Sequence, residues 1–151
     1  MARFKYRMQN ILDLKGKLET QARMQFANQQ ARVREAEDVR DGMLMKKEGY
    51  VQEIRDMQDK KLNMTDMKIA SNGIKTMDYL IAQQEKVIDR EKAELERRRS
   101  ELESVVQERK AQEKLREKAF VEFLKEEAAA ESKAIDELTS YTYGAKRGND
   151  E

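Results

Sequence analysis

Ile74, Ile81, Ile88, Leu95 and Leu102 recur every seven residues, with mostly charged residues between them. Such a stripe winds along one side of a helix and reads as a coiled-coil seam. Its companion line, Met77, Gln84, Glu91, Arg98 and Val105, is only partly apolar, so the seam is thin and its grip on a partner helix loose. Upstream, Ile11, Leu14 and Leu18, then Ala22, Gln25 and Gln29, then Val33, Ala36 and Arg40 repeat the same offsets every eleven residues. An eleven-residue repeat keeps its stripe nearly straight, which predicts a first helix that begins almost untwisted. From Met43 through Lys47, Tyr50, Ile54 and Met57 to Lys61 the steps alternate between three and four, and the pattern passes into ordinary heptads.

The pattern stops around Asn63-Met64-Thr65-Asp66, and Ser71-Asn72-Gly73 follows, where Asn and Gly tolerate the left-handed conformation that ends a helix. The elements predicted are therefore helix 1 over about 4–62, a turn over 63–73 containing a short helical piece capped by Thr65, helix 2 over about 74–141 reinforced at its start by Thr76, and a flexible tail over 142–151. Helices of about 60 and 65 residues would extend on the order of 90 to 100 Å. Pairs such as Asp13 with Lys17, Asp56 with Lys60 and Glu94 with Arg98 have the acidic-before-basic spacing that supports a helix and marks no site. The fold class expected is all-α: one domain, a long antiparallel two-helix coiled-coil hairpin.

Composition supports an elongated form, since 38% of the 151 residues are hydrophobic and 40% charged, too few apolar groups for a globular interior. With 31 basic against 30 acidic residues, self-repulsion does not open the chain. Proline is absent, so nothing breaks a long helix. The absence of cysteine and histidine removes disulfides, thiolates, and the commonest general base and metal ligand, so no enzyme, metal site or cofactor is expected. No stretch is apolar enough to span a membrane, and the start lacks a secretory signal, which predicts a cytoplasmic protein without direct membrane insertion.

Charge argues for a folded-back chain. Residues 3–34 carry eight basic side chains against Asp13 and Glu19, whereas residues 117–137 are acidic, so folding at 63–73 lays opposite signs together. A parallel homodimer sets like against like, and a monomer in isolation is expected. The same fold-back brings Ile54 toward Ile81 and Leu18 toward the segment from Phe120 to Leu124.

Six of nine methionines, Met43, Met45, Met57, Met64, Met67 and Met77, lie near the turn with Tyr50, Tyr79 and Leu80. They form either a docking surface that adapts to a protein partner or the filling of an irregular tip. The opening Phe4-Lys5-Tyr6-Arg7-Met8 interleaves basic and aromatic residues, a pattern open to nucleic acid, to an acidic protein cleft, or to sealing the end of the coiled coil. Because the chain is not basic, nucleic acid is not the expected partner; a generic coiled-coil scaffold or dimerising adaptor is the principal alternative.

Phe4-x-Tyr6-x-Met8-Gln9-x-Ile11-Leu12 resembles the amino-terminal signature of the FliJ family of the bacterial flagellar export apparatus. The distal Glu113-Lys114-Leu115-x-Glu117, Phe123, Glu127, Glu131, Lys133 and Asp136-Glu137-Leu138 are similar to that family as well. The resemblance implies a non-enzymatic antiparallel coiled coil like the rotor stalk of rotary ATPases, peripheral to the inner face of the cell membrane at the flagellar base. Its implied partners are the hexameric export ATPase FliI, the export gate FlhA, the regulator FliH and flagellar export chaperones. It places Phe4, Tyr6, Met8, Ile11 and Leu12 at the ATPase end, Tyr50 on an exposed family tyrosine and Leu80 on a gate-contacting position; Met43 and Tyr79, from the cluster near the turn, are expected at the same gate-facing tip. Lys46 stands where some relatives carry an aromatic, and Asp136-Glu137-Leu138 is structural first.

Overall fold

The computed structural model describes residues 2–61 and 63–149, and two helices account for nearly all of them: α1 (Gln9–Asp59) and α2 (Met64–Asn149). No strand occurs among the described residues. The helices pack antiparallel as a hairpin, and the contacts fall into two compact units. One joins the chain up to Glu19 with the chain from Val105 onward; the other is Thr20–Ser104.

In the second unit the order of partners fixes the antiparallel sense: Gln29 meets Glu91, Gln84 meets Ala36, and Lys47 meets Asp78. The predicted stripe is the α2 side of this seam. Ile88 at its centre is 1% exposed, and Ile74, Ile81, Leu95 and Leu102 are half-buried. The partly polar companion line is also turned inward and is used. Gln84 Nε2 donates to the Ala36 carbonyl at 2.9 Å, Gln29 Nε2 donates to the Glu91 carboxylate at 2.5 Å and its carbonyl at 3.0 Å, and Arg98 donates to Gln25 at 3.1 Å. Polar seam positions with partners fix one register at some cost in stability.

The eleven-residue repeat is not how α1 packs. In the first unit its inward positions are Leu12, Lys15 and Glu19, with Met8 just before the helix in the same phase; in the second they run from Ala22, Phe26 and Gln29 to Tyr50, Ile54 and Met57, and the three-four alternation never slips. Ile11, Leu14 and Leu18 instead stay 40, 53 and 36% exposed. Hydrophobicity misleads here because the seam accepts charged residues that have partners. Lys15 pairs with Glu108 at 2.8 Å, and Glu19, almost wholly buried, meets Arg109. Hydrogen bonds from Arg109 to Glu113 and Glu19 raise its pKa further, so it stays cationic.

The turn is shorter than predicted. α1 ends at Asp59 and α2 already begins at Met64, with Leu62 of the expected first helix outside the described residues. Asn63, not Thr65, is the cap: its Oδ1 accepts from the backbone N–H groups of Thr65 at 3.1 Å and Asp66 at 3.4 Å. Asp66 adds a negative charge to the first turn. Ser71-Asn72-Gly73 lies inside α2 with no positive φ, and Thr76 bonds back to the Asn72 carbonyl at 3.0 Å instead of capping. The shorter turn shifts the pairing, so Ile54 lies beside Met67 and Ser71 rather than Ile81, and Phe120 meets Phe4 rather than Leu18.

Residues 2–8 are not helical, and the expected flexible tail continues α2 through Asn149. Lys146 and Arg147 suit the dipole of that helix end, and Thr142 bonds the Leu138 carbonyl at 2.8 Å; Asp150 and Glu151 lie outside the described residues. Glu94 pairs with Arg98 at 3.3 Å as expected, within a cluster that includes Arg97 and Glu101. The hydrogen bond from Arg97, with burial opposing it, holds the Glu94 carboxyl below its ordinary range. This cluster's support is therefore present at neutral pH and lost as pH falls through that lowered range. Asp13 and Asp56 accept hydrogen bonds from Gln9 and Gln52.

Gly42 and Gly49 face open space, so alanine at either should raise stability by about 0.5–1 kcal/mol through lost unfolded-state freedom. A Cβ at Gly73 would sit 2.8 Å from the Tyr50 ring, so Gly73→Ala should lose that gain by displacing the ring. Thermal unfolding of the three variants followed by circular dichroism checks the contrast.

Candidate functional site

The first unit's candidate surface begins in the non-helical residues 2–8 before α1. The Phe4 ring meets Phe120 edge-on at 5.1 Å and Phe123 at 5.4 Å, with Arg116 5.5 Å from its centroid. The ring quadrupole favours both the edge-to-face pair and the cation. Tyr6 donates its hydroxyl to Gln112 Oε1 at 3.3 Å, and Arg116 donates to Gln9 at 3.1 Å. These contacts fasten the start of the chain to α2 and half-bury Phe4 and Tyr6.

Of the five residues predicted at this end, Met8 and Leu12 also belong to the seam, and only Ile11 faces outward. It does so with Leu14 and Leu18, one and two turns further along the same helix side. Sequence reasoning assigned those two leucines to the seam. The signal that locates them is the phase of the heptads followed back from Ile54 through Val33, which leaves all three outside.

In the second unit, Met43 and Tyr50 occupy seam positions and are half-buried. Tyr50 is therefore not the exposed tyrosine that the resemblance implied: its ring lies across the backbone of Gly73, where any Cβ would collide with it. Leu80 is half-buried and Tyr79 is exposed. Heptad position puts Leu80 and the exposed Val39 on the same flank of the seam, together with Gly73 and the exposed Lys46. The opposite flank is tied by Lys47 to Asp78 at 2.7 Å.

Near the turn an open groove of about 720 Å³ is lined by Ile54, Met64, Thr65, Met67, Lys68 and Ser71. Met43, Met57, Met67 and Met77 fill the seam, whereas Met45 and Met64 are about three-quarters exposed. The surface offers unbranched, polarizable side chains beside a lysine, suited to an apolar protein segment rather than to a small polar ligand. Among the described residues no acidic, histidine or cysteine group is arranged to hold a metal ion, and no helix is long and apolar enough to cross a membrane.

A protein-family model described as flagellar FliJ protein matches residues 4–148. Among solved structures, the chain is similar to the structure of a putative YscO homolog, CT670, from Chlamydia trachomatis. The two are 22% identical, the match covers 96% of this chain and 98% of that one, and the TM-score is 0.49. No curated protein matches the sequence.

Proposed function

The chain belongs to the FliJ family of flagellar export proteins, and on that premise we propose that it acts as a non-enzymatic stalk between the export ATPase FliI and the export gate FlhA. On this reading it works at the cytoplasmic face of the membrane at the flagellar base, assisting delivery of export substrates and their chaperones, with FliH as a further contact. The observation that carries the reading is that each compact unit has an outward apolar surface of its own. The first has Ile11, Leu14 and Leu18; the second has Val39, Tyr79 and the methionine-lined groove. A chain that only filled its own seam would leave neither in water.

The division of labour differs from one based on the amino-terminal signature alone. Phe4, Tyr6, Met8 and Leu12 hold the ATPase end together, and Ile11, Leu14 and Leu18 make the contact. At the tip, Tyr50 and Met43 shape the seam, while Tyr79 and the edge of Leu80 meet the gate. The register-fixing bonds of the second unit's seam keep its own surface at a set place along the two helices.

The test is ATP turnover by FliI, alone and with the wild-type chain or an Ile11→Ser/Leu14→Ser variant. Stimulation by the wild type and loss of most of it in the variant, with helix content unchanged by circular dichroism, is the expected result. No effect of the folded wild type on FliI assembly or turnover overturns the ATPase half of the proposal. The gate half is tested separately, by binding of FlhA to the wild type and to Tyr79→Ser.

A further inference from the structure

At the start of the chain the charge compensation expected within the hairpin is not made: Arg3, Lys5 and Arg7 are exposed and have no ion pair among the described residues, while residues 122–137 of α2 carry six acidic side chains against Lys125 and Lys133. Beyond Phe123, α2 turns nearly all of its surface to water. A helix ordinarily draws its stability from packing an amphipathic face, and this stretch has one. Val121, Leu124, Ala128, Ile135, Leu138 and Thr142 follow a heptad phase whose one acidic interruption is Glu131. Ile135 and Leu138 are 62 and 66% exposed. The stripe lies about a third of a turn around α2 from Ala119 and Phe123, which face α1, so the hairpin leaves it free.

We infer that this face pairs with the same face of a second copy, the two α2 segments running antiparallel. The sequence of the stripe is complementary to its own reverse. Val121 falls opposite Leu138 of the second copy, Leu124 opposite Ile135, and Ala128 opposite Glu131, with the same layers repeated by the two-fold axis. The flanking positions then oppose Phe120 to Tyr141, Lys125 to Ser132 and Glu127 to Ala134, so no like charges meet there. A parallel pair would set Glu131 against Glu131 and each basic start beside the other.

The antiparallel arrangement also supplies the missing countercharge. Phe4 seats on Phe120, so its chain neighbours Arg3 and Lys5 lie beside the part of α2 that faces residues 136–139 of the second copy, while the bond from Tyr6 to Gln112 carries Arg7 further along α2. Asp136 and Glu137 of that copy come alongside Arg3 and Lys5, and the symmetry makes the contact twice. The pairing should therefore weaken as salt rises. It departs from the monomer expected from the sequence, and it stands whether or not the stalk reading holds.

The experiment is sedimentation equilibrium of the full chain from about 1 to 100 µM at low and high salt. The expected mass approaches twice 17.8 kDa, with tighter association at low salt. Ile135→Lys, at a position exposed within one chain, should weaken the dimer at least about tenfold while helix content holds, because it strikes the interface twice. Arg3→Glu/Lys5→Glu should abolish most of the salt dependence. Since the chain has no cysteine, orientation is read by cross-linking: Val121→Cys mixed with Leu138→Cys should link, and neither variant should link to itself. A monomer throughout, a dimer indifferent to Ile135→Lys, or self-linking of each single variant would overturn the inference.

Discussion

Replacing Ile88 by alanine should cost about 3 kcal/mol, within the range for truncating a fully buried isoleucine. Ile88 is 1% exposed, alone among the large side chains of the described residues in being so completely enclosed. It sits within a seam whose neighbouring layers hold Gln29, Glu91 and Gln84, polar groups tied to their own partners that do not fill an apolar space. Ile74→Ala and Leu102→Ala, at half-buried sites of the same stripe, should cost less. Urea unfolding followed by circular dichroism orders the three. Equal losses would mean that the seam is uniformly loose and that Ile88 is not its anchor.

The second large effect concerns register. Gln29 is 4% exposed and donates both amide hydrogens to Glu91, one to its carbonyl and one to its carboxylate. Gln29→Leu alone strips a half-buried carboxylate of a donor and should destabilise by about 1–2 kcal/mol. Gln29→Leu/Glu91→Leu removes both polar groups and should restore or exceed wild-type stability by on the order of 1 kcal/mol. The double variant should also lose uniqueness, because apolar layers above and below then match in more than one alignment. Spin labels on cysteines introduced at the exposed positions Asp38 and Lys86 report this directly: one narrow distance distribution in the wild-type seam, a broad or split one in the double variant. A single distance in both would assign the pair a stabilising role only.

The α2 half of the seam was legible because Ile74, Ile81, Ile88, Leu95 and Leu102 combine the right period with burial on one side. The α1 half was legible from Ala22 onward, with Gln29, Arg40 and Lys47 among the inward positions, but not before it. At Lys15 and Glu19 the inward residues are charged, and hydrophobicity pointed instead to Ile11, Leu14 and Leu18. Those positions turned out to be surface, which made a wrong seam assignment into a candidate contact. The turn was misread for a related reason. Asn72-Gly73 has the composition of a helix end, but Gly73 is small because the Tyr50 ring occupies the space of its Cβ.

What the sequence by itself determined is helix and the antiparallel fold-back. Absent proline, balanced charge and a seven-residue period act locally along the chain and need no knowledge of the partner. The amino-terminal and distal motifs likewise sufficed for the family. Only the tertiary structure decided the register, and with it which residues are available to partners. Register depends on where the chain turns and on which polar groups find each other across the seam, Gln29 with Glu91 and Glu19 with Arg109. Those are pairings between residues far apart in sequence, and a change of a few residues in the turn re-pairs every one of them.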